Sequence, residues 1–220
     1  MAPKRPNTTG NQIYTELRRE IITGQRRPAG RLTVDRLADR FGTSVSPVRD
    51  ALQKLGQEGL VTIKPRSGYF VTHMTLKELQ DLLDLREILE VAALERAARG
   101  ITADQLRELE NLHGHYTGDD PESYDRYTLE NRHFHVSLAA ASGNDELAHQ
   151  IGHLLDRLAR FMVMTRTGKA MPDSHAQIIT ALDQGHPAAA RKALLGELQT
   201  ARRKILDKVL AEAGDRWQLD

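Results

Sequence analysis

The hydrophobic and polar residues in the first third of the chain follow two different periods. Apolar residues recur every three or four positions in residues 11–23, in residues 34–41 and from Val48 to Leu55, which predicts three amphipathic helices, the third ending before Gly59. Two short β-rich runs follow, Leu60–Ile63 and Gly68–Val71, and the residues between them suit the tip of a hairpin. Helices followed by a two-stranded ribbon predict a winged helix-turn-helix over residues 11–72.

Capping residues divide the second and third predicted helices at a tight turn. Thr33 is a suitable N-cap for the helix over residues 34–41. Gly42 follows its last residue, where a left-handed conformation commonly ends a helix. Either Ser44 or Ser46 can cap the next helix, and Pro47 lies where a first helical turn accepts proline.

The rest of the chain has a helical period throughout. Thr75 and Glu78 form a capping-box pattern before a helix that is apolar around most of its circumference, so we expect this helix to be buried on several sides. The predicted helices are residues 76–99, 102–116, 121–141, 145–166, 174–183 and 188–213. They predict a six-helix antiparallel bundle. The chain is therefore expected to be mainly α, with a flexible tail (1–10), the winged domain (11–72), a linker (73–75) and an all-helical domain (76–220).

Composition and charge indicate that the two domains have different partners. Of the 220 residues, 40% are hydrophobic and 28% are charged, as in globular proteins, and no apolar run approaches the length of a membrane span. The chain has no cysteine, which excludes disulfides and thiolate chemistry. Residues 1–72 carry a net charge of +7 and residues 73–220 carry −6, so we expect the first domain to face nucleic acid. The polar N-terminus lacks a secretion signal, and we expect a cytoplasmic protein with no membrane partner.

The third predicted helix has a polar face that suits DNA. Opposite its apolar positions it carries hydroxyl, amide and cationic side chains: Ser44, Ser46, Arg49, Gln53 and Lys54. Such groups bind phosphates and base edges in the major groove. Lys64 and Arg66 extend this basic character to the hairpin tip.

A second group of polar residues is predicted inside the helical domain. Asn131 and His135 are four residues apart and share one helix face. His175 and Glu197 each lie eleven residues from His186, so on two antiparallel helices they sit at about the same height. Imidazole and carboxylate suit zinc, nickel or manganese. The alternative is that these histidines are simply hydrogen-bonded in the interior.

Arg86 and Arg132 are candidates for pairing with an anionic ligand. A guanidinium presents two parallel donors that fit a carboxylate. Solvated salt bridges with neighbouring glutamates are the alternative for both residues.

The two sets of motifs resemble a known family of regulators. Residues 11–72 resemble the winged helix-turn-helix of GntR-type transcriptional regulators, through Phe41–Leu52 (FGTSVSPVRDAL) and Glu58–Val61. Residues 76–220 resemble the FCD ligand-binding domain. The segments that carry this second resemblance are Leu85–Glu90, Asn131–His135, Ser142–Asn144 and His175–Gly185. It implies a helical bundle with a metal-containing effector pocket.

The resemblance also implies site residues, with two departures. The predicted DNA-binding residues are Arg36, Ser44, Ser46, Pro47, Arg49, Lys64, Arg66 and Gly68. Val45 stands where the family usually has arginine, so the family's usual operator is in doubt, and valine could instead contact a thymine methyl group. The predicted metal ligands are Asn131, His135, His175 and Glu197, with glutamate in place of the family's third histidine.

The function implied is that of a ligand-responsive transcriptional regulator, not an enzyme. We expect a homodimeric repressor that binds a near-palindromic operator in double-stranded DNA and is released by a small organic acid. One alternative is a metal-responsive regulator in which the ion is the signal. A further alternative is a metal-dependent hydrolase, although no nucleophile–base pair accompanies the histidines.

Overall fold

The structure of the chain is a computed structural model that describes residues 9–112, 120–165 and 171–216. It divides into two compact units, Met1–Met74 and Thr75–Asp220. Three predicted features lie outside the described residues: most of the N-terminal tail, the end of the helix expected to reach residue 116, and the break at residues 167–169.

The first unit is a three-helix core followed by a hairpin. Its elements are α1 (Gly10–Ile22), β1 (Arg31–Leu32), α2 (Val34–Phe41), α3 (Val45–Gln57), β2 (Val61–Lys64) and β3 (Gly68–Val71). Helix α1 packs against α3. Its residues Ile13, Leu17 and Ile21 recur at helical spacing and are buried. Gly42 ends α2 in the left-handed conformation, with φ of 63°.

The sheet contains a strand that the sequence pattern did not predict. Its order is β1-β3-β2 and both pairings are antiparallel. Arg31 pairs with Phe70 and Leu32 with Tyr69. Two residues are too few to show an alternating period, so only the tertiary pairing with β3 makes this segment a strand.

The second unit contains six described helices. They are α4 (Leu76–Ala97), α5 (Ala103–Asn111), α6 (Pro121–Ala140), α7 (Asp145–Thr165), α8 (Met171–Asp183) and α9 (Pro187–Arg216). The capping box of Thr75 and Glu78 is present at the start of α4. Helix α8 begins three residues before the predicted Ser174, because a first helical turn accepts proline.

Packing in the second unit places α4 against three other helices. Helix α4 contacts α6, α7 and α9, while the consecutive pairs α6–α7 and α8–α9 also pack together. The short connections within these pairs make each pair antiparallel. A buried cluster joins α4, α5, α6, α8 and α9 through apolar side chains that include Leu94, Leu109, Phe134, Ile178 and Leu194. Among the described helices, none is long and apolar enough to span a membrane.

Candidate DNA interface and metal centre

The first candidate site is the exposed face of α3. Helix α3 follows the N-cap Ser44 and buries four apolar side chains, Val48, Ala51, Leu52 and Leu55. Ser44, Ser46 and Arg49 are exposed, and Pro47 is half-buried. Val45, the first helical residue, is 38% exposed. The hydroxyls, the guanidinium and this valine are therefore all available to a duplex.

The hairpin between β2 and β3 presents basic residues at its tip. Lys64 and Arg66 are exposed, and Arg36 is exposed on α2. The turn closes with a hydrogen bond from the Ser67 amide to the Lys64 carbonyl, at 3.0 Å. Arg66 occupies the left-handed region with φ of 62°, and Gly68 follows with φ of 105°. This turn holds the Arg66 side chain at the tip of the wing.

The second candidate site is a buried cluster of imidazoles and carboxylates. His135 lies on α6, His175 on α8 and Glu197 on α9, and all three side chains are buried. Each histidine places its Nε2 atom 3.2 Å from Glu197 Oε1. One nitrogen or oxygen atom from each residue lies within 4.8 Å of the other two. The structure thus brings together three residues that are widely separated in the sequence.

Asn131 lies one helical turn before His135 and is 1% exposed. Its Nδ2 atom is 4.0 Å from Met162 Sδ on α7. Its Oδ1 atom is buried and has no hydrogen-bond partner among the described residues, and the same is true of Glu197 Oε2. Two buried acceptors without donors are costly, and a bound cation would satisfy them.

Helix α4 adds two charged residues to the cluster. Arg86 donates from Nε to Glu90 Oε1 at 2.7 Å, and its Nη2 lies 3.2 Å from His135 Nε2. Glu90 Oε2 lies 2.6 Å from His135 Nδ1. Both side chains of this ion pair are 3% exposed, so Arg86 is not in the solvated salt bridge that was one alternative. Glu90 was missed, although an Arg and a Glu four residues apart on an apolar helix could have indicated a buried pair.

Charges in the cluster shift its proton affinities. Burial lowers the pKa of His135, but the carboxylates of Glu90 and Glu197 outweigh burial and raise this pKa to about 9. Burial lowers the pKa of His175, which favours its neutral imidazole. Burial opposes ionisation of Glu197, yet the two histidines hold the pKa of Glu197 below its usual value. Without a metal ion, these shifts favour a protonated His135 and a neutral His175 at neutral pH.

The residues present fit a divalent transition-metal ion. Two imidazoles and a carboxylate are common ligands of zinc and similar ions. His175 is fixed by stacking on Phe134, with ring centroids 3.8 Å apart and planes 8° apart. His135, His175 and Glu197 would hold the ion, and the unpaired Asn131 Oδ1 is the further candidate ligand.

Arg132, the other predicted effector residue, points to a different partner. It donates from Nε and Nη2 to the two carboxylate oxygens of Asp156 on α7, at 2.8 and 3.1 Å. This two-point contact fixes Arg132 between α6 and α7. Among the other described histidines, His149 and His153 contact each other on α7, with Nε2 atoms 3.0 Å apart.

Comparison with known families matches both units. Residues 9–71 match the family described as bacterial regulatory proteins, gntR family. Residues 81–200 match the FCD domain. The two matches include the α3 face, the hairpin and all four predicted metal ligands.

Known proteins of similar sequence and structure are bacterial transcriptional regulators. The HTH-type transcriptional repressor RspR of Escherichia coli is 28% identical over 193 residues, 86% of this chain and 85% of RspR. The HTH-type transcriptional repressor GlaR of the same species is 33% identical over 153 residues, 67% of this chain and 70% of GlaR. Among solved structures, E. coli McbR/YncC has a TM-score of 0.67 at 19% identity, covering 90% of this chain and 97% of that one. Lar of Listeria monocytogenes has a TM-score of 0.60 at 21% identity, with the same coverage. These two structures share the fold.

Proposed function

The chain belongs to the GntR family of bacterial regulatory proteins and carries an FCD domain, so it is a ligand-responsive DNA-binding transcriptional regulator. From this premise we propose that it is a homodimeric repressor, and that a small carboxylate releases it from its operator. The names of RspR and GlaR, both repressors, support the proposed sign of regulation. We further propose that the carboxylate binds at a divalent ion held by His135, His175, Glu197 and Asn131.

The observation that carries this proposal is the buried cluster with its unsatisfied oxygens. Arg86 and a protonated His135 balance the charges of Glu90 and Glu197. Exchange of the His135 proton for a divalent ion would leave one excess positive charge in the interior. A buried charge needs a partner, and a monovalent carboxylate would supply it. When bound, the ion would provide a fixed positive anchor for that anion.

The homodimer is supported by an apolar stripe on α4. Leu85 is 44% exposed and Ile88 is 65% exposed, although α4 packs against three helices on its other sides. Adjacent exposed apolar side chains commonly mark an association surface. A second copy using the same stripe would form a two-fold dimer, and its two α3 helices would read a near-palindromic site.

Regulation then follows from the difference in ligand affinity between two states of the dimer. A carboxylate can release DNA only if it binds more tightly to a form that holds DNA weakly. In the alternative, the ion itself is the signal, and the metal ion binds more tightly to the form that holds DNA weakly. His135 and Glu197 would carry both effects, since they lie in the cluster that receives the ion.

The test begins by selecting duplexes from a randomised library and measuring their affinity by fluorescence anisotropy. We expect Arg49→Ala and Arg66→Ala each to weaken binding by about tenfold and to reduce the salt dependence by about one phosphate contact. Arg203→Ala, which removes an exposed arginine from α9, is the matched control and should leave both quantities unchanged. If the selection yields no bound duplex even at low salt, DNA binding is contradicted.

A second experiment separates the metal roles. The protein is stripped with a chelator and reloaded with zinc, nickel or manganese, and operator affinity is measured with and without short-chain carboxylates. Release by carboxylate only in a metal-loaded form supports the proposal. Release by the ion alone makes the ion the signal, and an identical response after chelation contradicts a metal-anchored effector.

A further inference from the structure

An open groove runs along the seam between α8 and α9. Its volume is about 480 Å³, within the range of small-molecule sites. Helix α8 contributes Ser174 and Gln177 to its walls, and α9 contributes Thr200. Much of the remaining lining consists of small residues, namely Ala181, Ala189, Ala193, Gly196 and Ala201. The groove is thus mainly apolar, with a few hydroxyl and amide groups.

Gly196 leaves space in this groove that packing does not require. Glycine inside a helix costs about 1 kcal/mol relative to alanine, so it needs a reason. A Cβ atom added to Gly196 would meet no atom within 4 Å. By contrast, a Cβ at Gly152 would lie 2.9 Å from Arg132 Nη2, so that glycine is needed for close packing. Gly196 has no such neighbour, and its effect is to keep the groove open.

The charges around the groove suit an anion. Lys192 and Lys204 line it, are exposed, and have no ion-pair partner among the described residues. Glu197 also lines the groove, is 6% exposed, and has an Oε2 atom without a hydrogen-bond partner in the described structure. Glu197 therefore belongs both to the groove and to the buried cluster. Because Glu197 is itself a carboxylate, an anion that enters along the lysines would be held at this residue only through a metal ion bound to the cluster.

We propose that the α8–α9 groove is the effector subsite and that its ligand is a short aliphatic dicarboxylate. One carboxylate lies at the Glu197 end, where the metal ion of the proposed function would receive it, and the other pairs with Lys192 or Lys204. This inference rests on the proposed function for the first anchor, while the groove, Gly196 and the lysines supply the second.

Spacing along α9 sets the length of this ligand. Glu197 lies five residues after Lys192 and seven before Lys204. At the rise of an α-helix these separations are about 8 and about 10 Å. Because the lysine side chains are long and flexible, chains of about four to eight carbons bridge either distance. The alanine-lined floor favours methylene groups over a hydrated or branched body.

The experiment uses the full-length protein and a homologous series of probes. The series is the unbranched α,ω-dicarboxylates from succinate to suberate, with the monocarboxylate and the diamide of each chain length as comparisons. Affinities are measured by calorimetry and by the shift in melting temperature, with and without zinc. We expect at least one dicarboxylate to bind at least about tenfold more tightly than its monocarboxylate, as for a charge-assisted contact, and the diamides not to bind.

Four variants locate the binding. Gly196→Leu fills the open space and should abolish dicarboxylate binding, while Gly196→Ala should raise the melting temperature through helix propensity. Lys192→Met combined with Lys204→Met should reduce the preference for dicarboxylate over monocarboxylate by about fivefold or more. Gln199→Leu adds an apolar side chain to an exposed position of α9 outside the groove lining and is the control, with unchanged binding.

Failure of the groove proposal can be distinguished from failure of the proposed function. If Gly196→Leu binds the probes as the wild type does, or if no dicarboxylate binds the wild type with or without zinc, the groove is not the subsite. Zinc titration of the same variants is independent, because Gly196 and both lysines lie outside the ligand set. If zinc fails to bind the wild type, the metal-anchored function is wrong. Dicarboxylate binding to the wild type that Gly196→Leu abolishes would then still support the groove, with the lysines as its anchor.

Discussion

Arg66 occupies a backbone conformation that favours glycine, and the proposed contact of the wing with DNA gives a reason for arginine at this position. Its φ of 62° is left-handed, which costs a residue with a side chain about 1 kcal/mol. Ala29 has the same feature in the turn before β1, with φ of 59°. The two residues therefore carry similar backbone strain, and only Arg66 lies at the proposed DNA interface.

This pair gives a prediction with a built-in control. Arg66→Gly should raise the free energy of unfolding by about 0.5–1 kcal/mol, because the left-handed strain is relieved, and should weaken operator binding by about tenfold. Ala29→Gly should give a similar gain in stability with unchanged DNA affinity. Urea denaturation and fluorescence anisotropy measure the two quantities. If DNA affinity is unchanged in Arg66→Gly, the wing arginine does not contact the duplex.

Glu20 makes the first unit sensitive to acid. It is buried on α1 and accepts from Arg26 Nε at 2.8 Å and from Arg40. Burial opposes ionisation, but Arg40 and Arg26 together hold the pKa of Glu20 below its usual value. A lowered pKa in the folded state means that the carboxylate stabilises the fold above its unfolded pKa and loses this contribution as pH falls through the folded pKa.

We therefore expect Glu20→Gln to lower the free energy of unfolding by about 1–2 kcal/mol at pH 7, since two charge-assisted contacts weaken. The difference from the wild type should shrink as pH falls toward 3, where the wild-type carboxyl is itself protonated. Denaturation curves at a series of pH values test this. If the difference in the free energy of unfolding stays constant with pH, the negative charge of Glu20 does not contribute to stability.

At the residue scale, spacing placed His175 and Glu197 at the same height, but it could not anticipate the contact of Glu90 with His135. His175 and Glu197 flank one helical hairpin, so counting from its turn sets their relative height. Glu90 meets His135 only because α4 packs against α6, and packing between helices distant in sequence leaves no local period. From the sequence, Glu90 was recognisable as a charged residue on an apolar helix, four residues from Arg86, but not as a partner of His135.

At the scale of elements, the starts of three helices could be predicted because capping chemistry is local. Thr75, Thr102 and Asp120 each cap the following helix with a side-chain oxygen, as their residue types suggest. Strand β1 could not be predicted, since its existence depends on β3. The helical period on α4 indicated burial on several sides and could not show that Leu85 and Ile88 would stay exposed in a single chain.

The exposed stripe of α4 gives a prediction about assembly. Ile88→Asp should weaken self-association strongly, because each copy would place a charge in an apolar interface, and two-fold symmetry introduces the change twice. Sedimentation velocity over a concentration series measures the effect. Leu210→Asp, at a 54% exposed apolar position on α9, is the control and should associate as the wild type does. Full association of Ile88→Asp would exclude the α4 stripe as the interface.

At the scale of the whole molecule, charge separates the two tasks of the chain. The basic first unit suits attraction to phosphates, and the acidic second unit disfavours binding of DNA to the wrong surface. Within the acidic unit, however, the buried cluster collects positive charge from Arg86 and His135 beside two carboxylates. Protonation of His135, the proposed metal binding and the stability of the second unit are therefore expected to be linked.

This linkage has a sign that can be worked out. The pKa of His135 is raised to about 9 in the folded protein, so its protonation stabilises the metal-free fold fully below the unfolded value of about 6.5. That contribution is lost as pH rises through about 9. The metal-free protein should therefore become less stable between pH 7 and pH 9.

Because a metal ligand must be deprotonated, zinc binding should displace the His135 proton. We expect calorimetry in buffers of different ionisation enthalpy to show about one proton released per zinc at pH 7, and the zinc affinity to rise up to about tenfold per pH unit until about pH 9. Glu90→Gln removes one carboxylate that raises the pKa of His135, so proton release at pH 7 should fall. Zinc binding without proton release at pH 7 would mean that His135 is not a ligand or is already neutral, and the charge balance that draws a carboxylate to the cluster would then be lost.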